Sequence, residues 1–163
     1  LFFHQAIAMA EQRLWIASPY FVPDEGILHA LQLAAIRGVD VRILLPMKPD
    51  QWLVWLASFA ILTELQHPNV RIHRYTGGFM HQKALLVDDE FAGVGTANFD
   101  NRSFRLNFEI TLAVADKSFA AEVAAMFERD FASSTQVDAR DYYSRPLLFK
   151  ASARGARLLS PIL

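Results

Sequence analysis

A histidine and a lysine two positions apart are the residues of this chain best suited to chemistry on a phosphate ester. His81 can act as a nucleophile toward phosphorus or as an acid, and Lys83 is a cation that can neutralise charge on phosphate oxygens. The apolar run at residues 80–87 predicts a strand. Because residues two apart on a strand share a face, we expect the two side chains to project together.

An aspartate follows this pair at an odd-numbered separation, which on a strand places it on the opposite face. Asp88 lies seven positions beyond His81, so on a straight strand its side chain points away from that of His81. The run Asp88-Asp89-Glu90 also predicts a hairpin turn at this point. We therefore expect Asp88 to hold the turn or the neighbouring backbone rather than to contact a substrate.

Three further polar residues can complete a site for a phosphodiester. Thr96 and Asn98 offer a hydroxyl and an amide which, together with Lys83, can donate to the non-bridging oxygens. Glu109, with an apolar residue on each side on a predicted strand, is the best candidate for the carboxylate that orients the imidazole. Such a carboxylate fixes the tautomer of the ring and stabilises the imidazolium that forms.

The elements that position these residues are predicted from the hydrophobic pattern. Residues 14–17 and 39–45 predict strands, and an apolar stripe of helical spacing lies between them, from Pro23 to Gly38. Strand, helix and strand in this order predict a right-handed crossover and a parallel pair. The other predicted elements are helices at 2–12, 51–65, 117–131 and 145–153, strands at 70–75, 91–94 and 108–114, and a polar loop at 95–105. We predict one α/β domain over residues 1–163, with a mixed, largely parallel β-sheet flanked by helices.

The composition narrows the functional classes. Hydrophobic residues make up 53% of the chain and the net charge is −1, so the chain can bury a core and has no basic field for a nucleic-acid partner. Cysteine is absent, which excludes disulfides and thiolate chemistry. His81 has no second histidine at ligand spacing, so we expect neither a metal nor another cofactor. The longest apolar run, residues 52–62, is too short to span a bilayer.

Two aromatic segments allow two interpretations each. Residues 19–21 follow the carboxyl end of a predicted parallel strand, where α/β folds place ligands, but aromatic side chains also pack strand ends. The predicted helix with Trp52 and Trp55 is either plain core or an interfacial helix that contacts lipid. The other four histidines are interpreted as ordinary core or surface residues.

The spacing of the site residues matches a known signature. Residues 81–83, Asp88 and residues 95–98 agree at every defined position with the HxKxxxxD…G[ST]xN signature of the phospholipase D superfamily, which the chain resembles. The segments at 18–24, 37–46, 95–104, 106–110 and 156–163 also resemble the second half of bacterial cardiolipin synthases. The resemblance implies a catalytic group of His81, Lys83, Asp88 and Glu109, with Lys83, Thr96 and Asn98 on the substrate phosphate.

The same resemblance implies a phosphatidyl transfer. A motif histidine attacks the phosphorus of phosphatidylglycerol and glycerol leaves. The hydroxyl of a second phosphatidylglycerol then displaces the enzyme, and cardiolipin forms. The partner histidine comes from an N-terminal half-domain with its own motif or, in a homodimer, from a second copy. Because the chain begins at Leu1, we expect a piece of a longer protein. The resemblance also implies that this protein is associated with the inner membrane of a bacterium.

Two other functions stay open from the residues alone. A phosphodiesterase, either a phospholipase or a nuclease, would use the same His81 and Lys83 with water as the acceptor, although the near-neutral charge argues against nucleic acid. A non-catalytic half would serve as a membrane-docking or dimerisation module, although no motif residue is missing.

Overall fold

The computed structural model describes residues 1–48 and 50–159, and the resemblance at 160–163 lies outside the described residues. The helices are α1 (Phe2–Met9), α2 (Glu25–Ile36), α3 (Trp52–Glu64), α4 (Asn101–Arg105), α5 (Lys117–Ala132), α6 (Ala139–Tyr143) and α7 (Leu147–Leu158). The strands are β1 (Arg13–Ala17), β2 (Phe21–Val22), β3 (Asp40–Pro46), β4 (Val70–Tyr75), β5 (Ala84–Val87), β6 (Phe91–Gly95), β7 (Phe99–Asp100), β8 (Thr111–Ala115) and β9 (Ser134–Val137). None of the described helices has the length and apolarity that a membrane crossing requires.

Seven of the strands form one sheet in the order β8-β6-β5-β1-β3-β4-β9. At its centre, β1 pairs with β3 and β3 with β4 in parallel. The strands outside this trio pair antiparallel with their neighbours. Strands β2 and β7 form a separate two-stranded parallel sheet. The predicted mixed α/β architecture, with parallel strands joined by a helical crossover, is confirmed.

Helices cover both faces of the large sheet. Along β1, Leu14 and Ile16 belong to one hydrophobic cluster, whereas Trp15 and Ala17 belong to another. This alternation is expected because successive strand residues point to opposite faces. Helices α1, α2, α3, α6 and α7 contribute buried residues to the first cluster, and α5 packs on the second. The sheet is therefore the middle layer of three.

Local capping signals explain why the strongest predicted helices form. The side chain of Asp24 accepts the backbone N–H of Ile27 at 3.0 Å at the start of α2. Gly38 follows the end of the same helix with φ of +96°, a conformation that suits glycine. Asp116 caps α5 in the same way, through the N–H of Phe119 at 2.8 Å.

The strand that approaches His81 is shorter than predicted. The pattern predicts a strand over residues 80–87, but β5 begins at Ala84. Its neighbours explain the difference, because β1 ends at Ala17 opposite Ala84, and Pro19 beyond it has no N–H to extend the ladder. On the other side β6 ends at Gly95. His81 and Lys83 therefore lie before the strand, and their predicted place on its face is wrong.

The polar segment after β6 also differs from the prediction. Residues 95–105 are predicted as a loop, but they contain β7 and α4, because the side chain of Asp100 accepts the N–H of Ser103 at 2.7 Å and begins the helix. The strand predicted at 108–114 is β8, which starts at Thr111 opposite Gly95, the end of β6. Glu109 therefore lies before this strand rather than on it. Strand β9 and helix α6 have no counterpart among the predicted elements, and α7 extends beyond the helix predicted at 145–153.

Candidate active site

His81 lies at the surface, on the segment that leads into β5. Its ring is stacked on Phe79, with centroids 5.6 Å apart and planes 11° from parallel. Tyr20 meets the same ring edge to face at 6.0 Å and 83°. Among the described residues, the His81 side chain forms no hydrogen bond. Both ring nitrogens are therefore open to a substrate or to a partner group.

Lys83 lies among carboxylates beside this histidine. Its Nζ donates to the backbone oxygen of His81 at 2.9 Å. Partial burial lowers the pKa of Lys83, and the negative charges of Glu109, Asp50 and Asp100 oppose that shift. The ammonium is thus partly removed from water before any phosphate binds, which strengthens its interaction with an incoming anion.

Glu109 is held by hydrogen-bond donors from three directions. Thr96 donates its hydroxyl to one carboxylate oxygen at 2.5 Å, and Ser103 and Asn107 donate to the other at 2.9 and 3.1 Å. Partial burial alone raises the pKa of Glu109, but the hydrogen bonds from Thr96, Asn107 and Ser103, with the charge of Lys83, outweigh it and leave the pKa below its ordinary value. The carboxylate is therefore stabilised in its ionised form. In this structure its partners are hydroxyl and amide groups rather than the His81 ring.

Ser103, which the sequence analysis did not single out, connects two of the predicted site residues. Its hydroxyl accepts the backbone N–H of Asn98 at 3.0 Å and donates to Glu109. The spacing of Asp100 and Ser103 is a helix-start signal that could have indicated its place. The side chain of Asn98 is nearly buried, and in the described part of the chain its oxygen has no hydrogen-bond partner. Asn98 is thus positioned through its backbone, and its side-chain oxygen is a buried acceptor.

Glycine is required where Thr96 approaches Glu109. A Cβ on Gly95 would lie 2.2 Å from the backbone oxygen of Ile110, which is impossible without moving the backbone. The close approach lets the N–H of Thr96 donate to Ile110 O at 2.9 Å, and the N–H of Ile110 to the Thr96 hydroxyl at 3.0 Å. Gly95 therefore fixes the distance between the segments that carry Thr96 and Glu109.

Tyr20 is tied to the sheet and to the start of α3. The buried hydroxyl of Ser18 donates to Tyr20 O at 2.6 Å and accepts the N–H of Phe99 at 3.0 Å, which joins the segments of β2 and β7. The phenol of Tyr20 donates to Asp50 at 2.7 Å. Burial, together with the hydrogen bond to Asp50, raises the pKa of Tyr20 to about 12, so the phenol stays protonated as a donor. The aromatic segment predicted either to bind ligand or to pack the strand end does contact His81.

Asp88 lies at the far end of β5 from these groups. Its carboxylate accepts the backbone N–H groups of Gln12 and Arg13 at 2.8 and 2.9 Å, and that of Glu11 at 3.1 Å. Its own N–H donates to Arg13 O at 2.9 Å. The residue adopts φ of 51°, a left-handed turn conformation that aspartate tolerates better than most residues. The expectation that Asp88 holds neighbouring backbone is confirmed.

The other site residues predicted from the sequence lie near one another. Thr96 contacts Glu109, Asn98 is joined to Glu109 through Ser103, and Lys83 interacts with the charge of Glu109 and the backbone of His81. Within residues 1–48 and 50–159, no group of three or more His, Cys, Asp or Glu side chains could hold a metal ion. The arrangement combines an accessible imidazole, a cation and several donors, which is what transfer at a phosphodiester requires.

Comparison with known families agrees with this geometry. Residues 3–131 match the family described as "Cardiolipin synthase, PLD-like domain". The chain belongs to this family. It is 51% identical over all 163 residues to cardiolipin synthase A of Pseudomonas entomophila, and 51% identical to that of Pseudomonas aeruginosa strain LESB58. It spans 34% and 33% of those proteins, about one third of the length of the curated relatives that it matches.

Solved structures share the fold at low sequence identity. Nuc from Salmonella typhimurium, a phospholipase D family member, aligns with a TM-score of 0.75 and 19% identity, over 84% of this chain and 89% of that one. Phosphatidylserine synthase from Haemophilus influenzae aligns with a TM-score of 0.77 and 17% identity, over 98% of this chain and 44% of that one. At these identities the likeness establishes the fold of the chain.

Proposed function

We propose that this chain supplies one half of a two-histidine site that condenses two phosphatidylglycerols to cardiolipin and glycerol. The observation that carries the proposal is the accessible imidazole of His81 beside Lys83, in a chain that belongs to a cardiolipin synthase family. The identity of 51% and 50% to two cardiolipin synthase A sequences over all 163 residues supports the reaction, although those proteins are about three times as long.

The proposed reaction has two displacements at phosphorus. A histidine nitrogen forms a bond to phosphorus, and the bond from phosphorus to the oxygen of the headgroup glycerol breaks. A second histidine gives that oxygen a proton. The hydroxyl of a second phosphatidylglycerol then loses its proton to the second histidine and attacks phosphorus, and the bond to the first histidine breaks. His81 fills one of these two roles, as nucleophile or as acid and base.

The surrounding residues have distinct roles in this proposal. Lys83, Thr96 and Asn98 donate to the non-bridging oxygens, where negative charge increases in the transition state. Glu109 receives the far N–H of the imidazole once the ring has turned from its stacking on Phe79, with the ring of Tyr20 still against it. Catalytic hydrogen bonds are commonly absent or long before substrate binds, so the present contacts of Glu109 are compatible with that role.

We further propose that the second histidine comes from another half-domain, either elsewhere in a longer chain or in a second copy. An exposed apolar face supports this view, since Leu106, Phe108, Ile110 and Leu112 are all exposed. They continue into β8, an edge strand of the large sheet. Apolar patches of this kind mark protein contacts, and a second half-domain on this face would lie near Glu109. The resemblance also leads us to propose a bacterial inner membrane as the location.

The test is the lipid product of the full-length protein that carries this chain. The protein, its His81→Ala variant and a matched variant of the exposed His29 on α2, His29→Ala, are given phosphatidylglycerol, and mass spectrometry measures cardiolipin and glycerol. We expect product from the wild type and from His29→Ala, and none above background from His81→Ala.

Other outcomes separate the alternatives. Phosphatidic acid without cardiolipin would mean that water is the acceptor, and the protein would be a phosphodiesterase. Full cardiolipin synthesis by His81→Ala would mean that this half is a non-catalytic scaffold.

A further inference from the structure

A second exposed apolar surface lies where α3 and α7 begin. We call it the α3–α7 rim and define it by six residues: Trp52, Leu53, Leu147, Leu148, Lys150 and Arg154. Trp52 is 59% exposed and Leu148 is 84% exposed, although both belong to helices that pack on the core. The other exposed members are Leu53, Leu147 and Arg154. Large apolar side chains held in water on ordered helices indicate a contact that this chain alone does not satisfy.

The two helices run parallel, so their first turns are neighbours. Phe149, near the start of α7, packs on Trp55 in the first turn of α3 and on Phe59 in its middle, with ring centroids 6.0 and 5.2 Å apart. At the other ends of the helices, Arg157 pairs with Glu64 at 3.1 Å. Trp52 is stacked on Trp55 at 4.7 Å, so a chain of rings links the apolar start of α3 to that of α7. The rim is therefore one surface rather than two separate ones.

The rim borders the candidate active site. Asp50, two positions before Trp52, accepts the hydrogen bond from the phenol of Tyr20 at 2.7 Å. Tyr20 in turn meets the ring of His81. The exposed start of α3 is thus one side chain away from the residue that contacts the imidazole. A flat partner that covers the rim would also face the entrance to the site.

The charge of the rim favours an anionic partner. Helix α7 carries Lys150, Arg154 and Arg157 and no acidic residue. Lys150 and Arg154 line a surface groove of about 440 Å³ together with Tyr143 and Leu147. A helix with exposed leucines and cations, beside an exposed tryptophan, has the composition that binds at the interface of an anionic bilayer. The apolar face before β8 differs, because it continues into a strand edge that suits a protein partner.

We propose that the α3–α7 rim docks on the surface of an anionic lipid bilayer and holds the entrance of the candidate active site against that surface. The inference rests on the proposed function in so far as the substrate is a membrane lipid. It adds the part of this chain that meets the membrane. Trp52, Leu53, Leu147 and Leu148 enter the apolar boundary, and Lys150 and Arg154 lie at the level of the lipid phosphates.

A labelling experiment tests the location of the contact. The chain has no cysteine, so Leu148→Cys can carry a single environment-sensitive fluorophore. The matched control is Leu33→Cys on α2, a leucine 57% exposed near the opposite end of its helix from Asp24. With vesicles that contain phosphatidylglycerol, we expect a blue shift and stronger emission from the label at position 148 and little change at position 33. Equal responses at both positions, or none at position 148, would overturn the proposal.

A charge experiment tests the chemistry of the contact. The double variant Lys150→Gln and Arg154→Gln should bind phosphatidylglycerol vesicles about 10- to 30-fold more weakly at low salt, since each cation near an anionic surface contributes about fivefold. Lys117→Gln on α5, an exposed lysine on the other face of the sheet, should change affinity less than about twofold. Unchanged affinity in the double variant would overturn the anionic-lipid assignment.

The label emission and the vesicle affinity do not depend on turnover, so they can disprove the membrane contact without disproving the proposed function. A response of the label together with no cardiolipin in the transfer assay would leave the rim in place and overturn the synthase. Cardiolipin synthesis without a response of the label would support the synthase and overturn the membrane contact of the rim. The label is also placed in the full-length protein, after removal of any other cysteines. Loss of the lipid response there would mean that another part of the protein covers the rim, and the proposal would be wrong.

Discussion

One sequence motif spans β5, with His81 before the strand and Asp88 after it, and the two side chains differ in their hydrogen bonding. At one end the carboxylate of Asp88 accepts three backbone N–H groups of residues 11–13, and its own N–H is bonded to Arg13. At the other end the imidazole of His81 has two aromatic neighbours and, in the described chain, no hydrogen bond. The fold thus satisfies the hydrogen bonds of the Asp88 carboxylate, at what we call the closed end of β5. It leaves the His81 imidazole without a hydrogen bond, at what we call the open end.

This contrast separates stability from chemistry within one motif. A buried or bonded carboxylate that serves backbone groups contributes to the folded state, and its loss leaves donors without partners. An unbonded imidazole contributes little to stability and is available to a substrate. Substitutions at the two ends should therefore affect different measurements, which the following predictions use.

The largest effect is expected at the open end. Lys83→Met preserves most of the side-chain volume but removes the ammonium, so transition-state charge on the phosphate loses a donor and a cation. We expect the kcat of the full-length protein to fall about 10²- to 10³-fold with an unchanged melting temperature. Steady-state cardiolipin synthesis and thermal unfolding measure the two quantities, with Lys117→Met as the control. A kcat within twofold of wild type would remove Lys83 from the site.

The next effect belongs to the closed end. Asp88→Asn replaces an acceptor of three N–H groups by an amide with one acceptor oxygen, and we expect a loss of about 2–3 kcal/mol in the free energy of unfolding. Urea denaturation of the chain measures it. Asp89→Asn is the matched control, because Asp89 is exposed and its ion pair with Arg13 should contribute less than about 0.5 kcal/mol. If both variants were equally stable, the contrast between the ends of β5 would be wrong.

A smaller effect is expected at Ser103, which supports the open end. Ser103→Ala removes the donor to Glu109 and the acceptor for Asn98 N–H, and should cost about 1–2 kcal/mol. It also has a signature in pH. The pKa of Glu109 lies below its ordinary value of 4.5, so its stabilisation is full above that pH and is lost as the pH falls through the lower folded pKa. Ser103→Ala raises the pKa of Glu109 and should reduce this loss.

Chemical denaturation between about pH 3 and pH 6 measures the change. Asn107→Ala, which removes another donor to Glu109 without the contact to Asn98, is the comparison. The same acid-side slope in Ser103→Ala and wild type would contradict the assignment of Ser103 as a support of this carboxylate.

The smallest effect concerns the ring contacts of His81. Tyr20→Leu removes the edge-to-face contact and should lower kcat about 2- to 10-fold, the value of an aromatic pair. Tyr20→Phe preserves the ring but loses the bond to Asp50, and its kcat should stay within about twofold of wild type. The two kcat values, measured with phosphatidylglycerol dispersed in detergent, distinguish the roles. Equal losses would show that the hydroxyl, rather than the ring, supports His81.

Local signals in the sequence predict the central part of the fold. The helix predicted after Asp24 and the strand predicted before Pro46 follow from residues close to them in the sequence, and they match α2 and β3. The strands near the site were predicted too long, because their ends depend on where β1 and β6 stop, and no local pattern contains that information. The spacing of Asp100 and Ser103 does indicate a helix start, but the bond from Ser103 to Glu109 depends on how α4 folds the polar segment back.

The site residues themselves were predicted by type and spacing, and the structure brings most of them together. The structural place of Asp88 was predicted from parity, and its contacts confirm it. The contacts of Glu109 are different from the expected contact with His81, because two hydroxyl groups and an amide donate to its carboxylate. Its orienting role stays a prediction.

The bonds between Asp88 and residues 11–13 also affect the order in which the chain folds. They join positions 75 to 77 residues apart, so they form only after the intervening chain has compacted, since closing a long loop costs entropy that other contacts must offset. The parallel trio β1, β3 and β4 joins positions much closer in sequence. We therefore expect the hairpin of β5 and β6 to dock late, and until it does, the edge of β1 is unpaired and open to other chains. A newly made chain should be most prone to aggregate in this interval, before the candidate site residues are assembled.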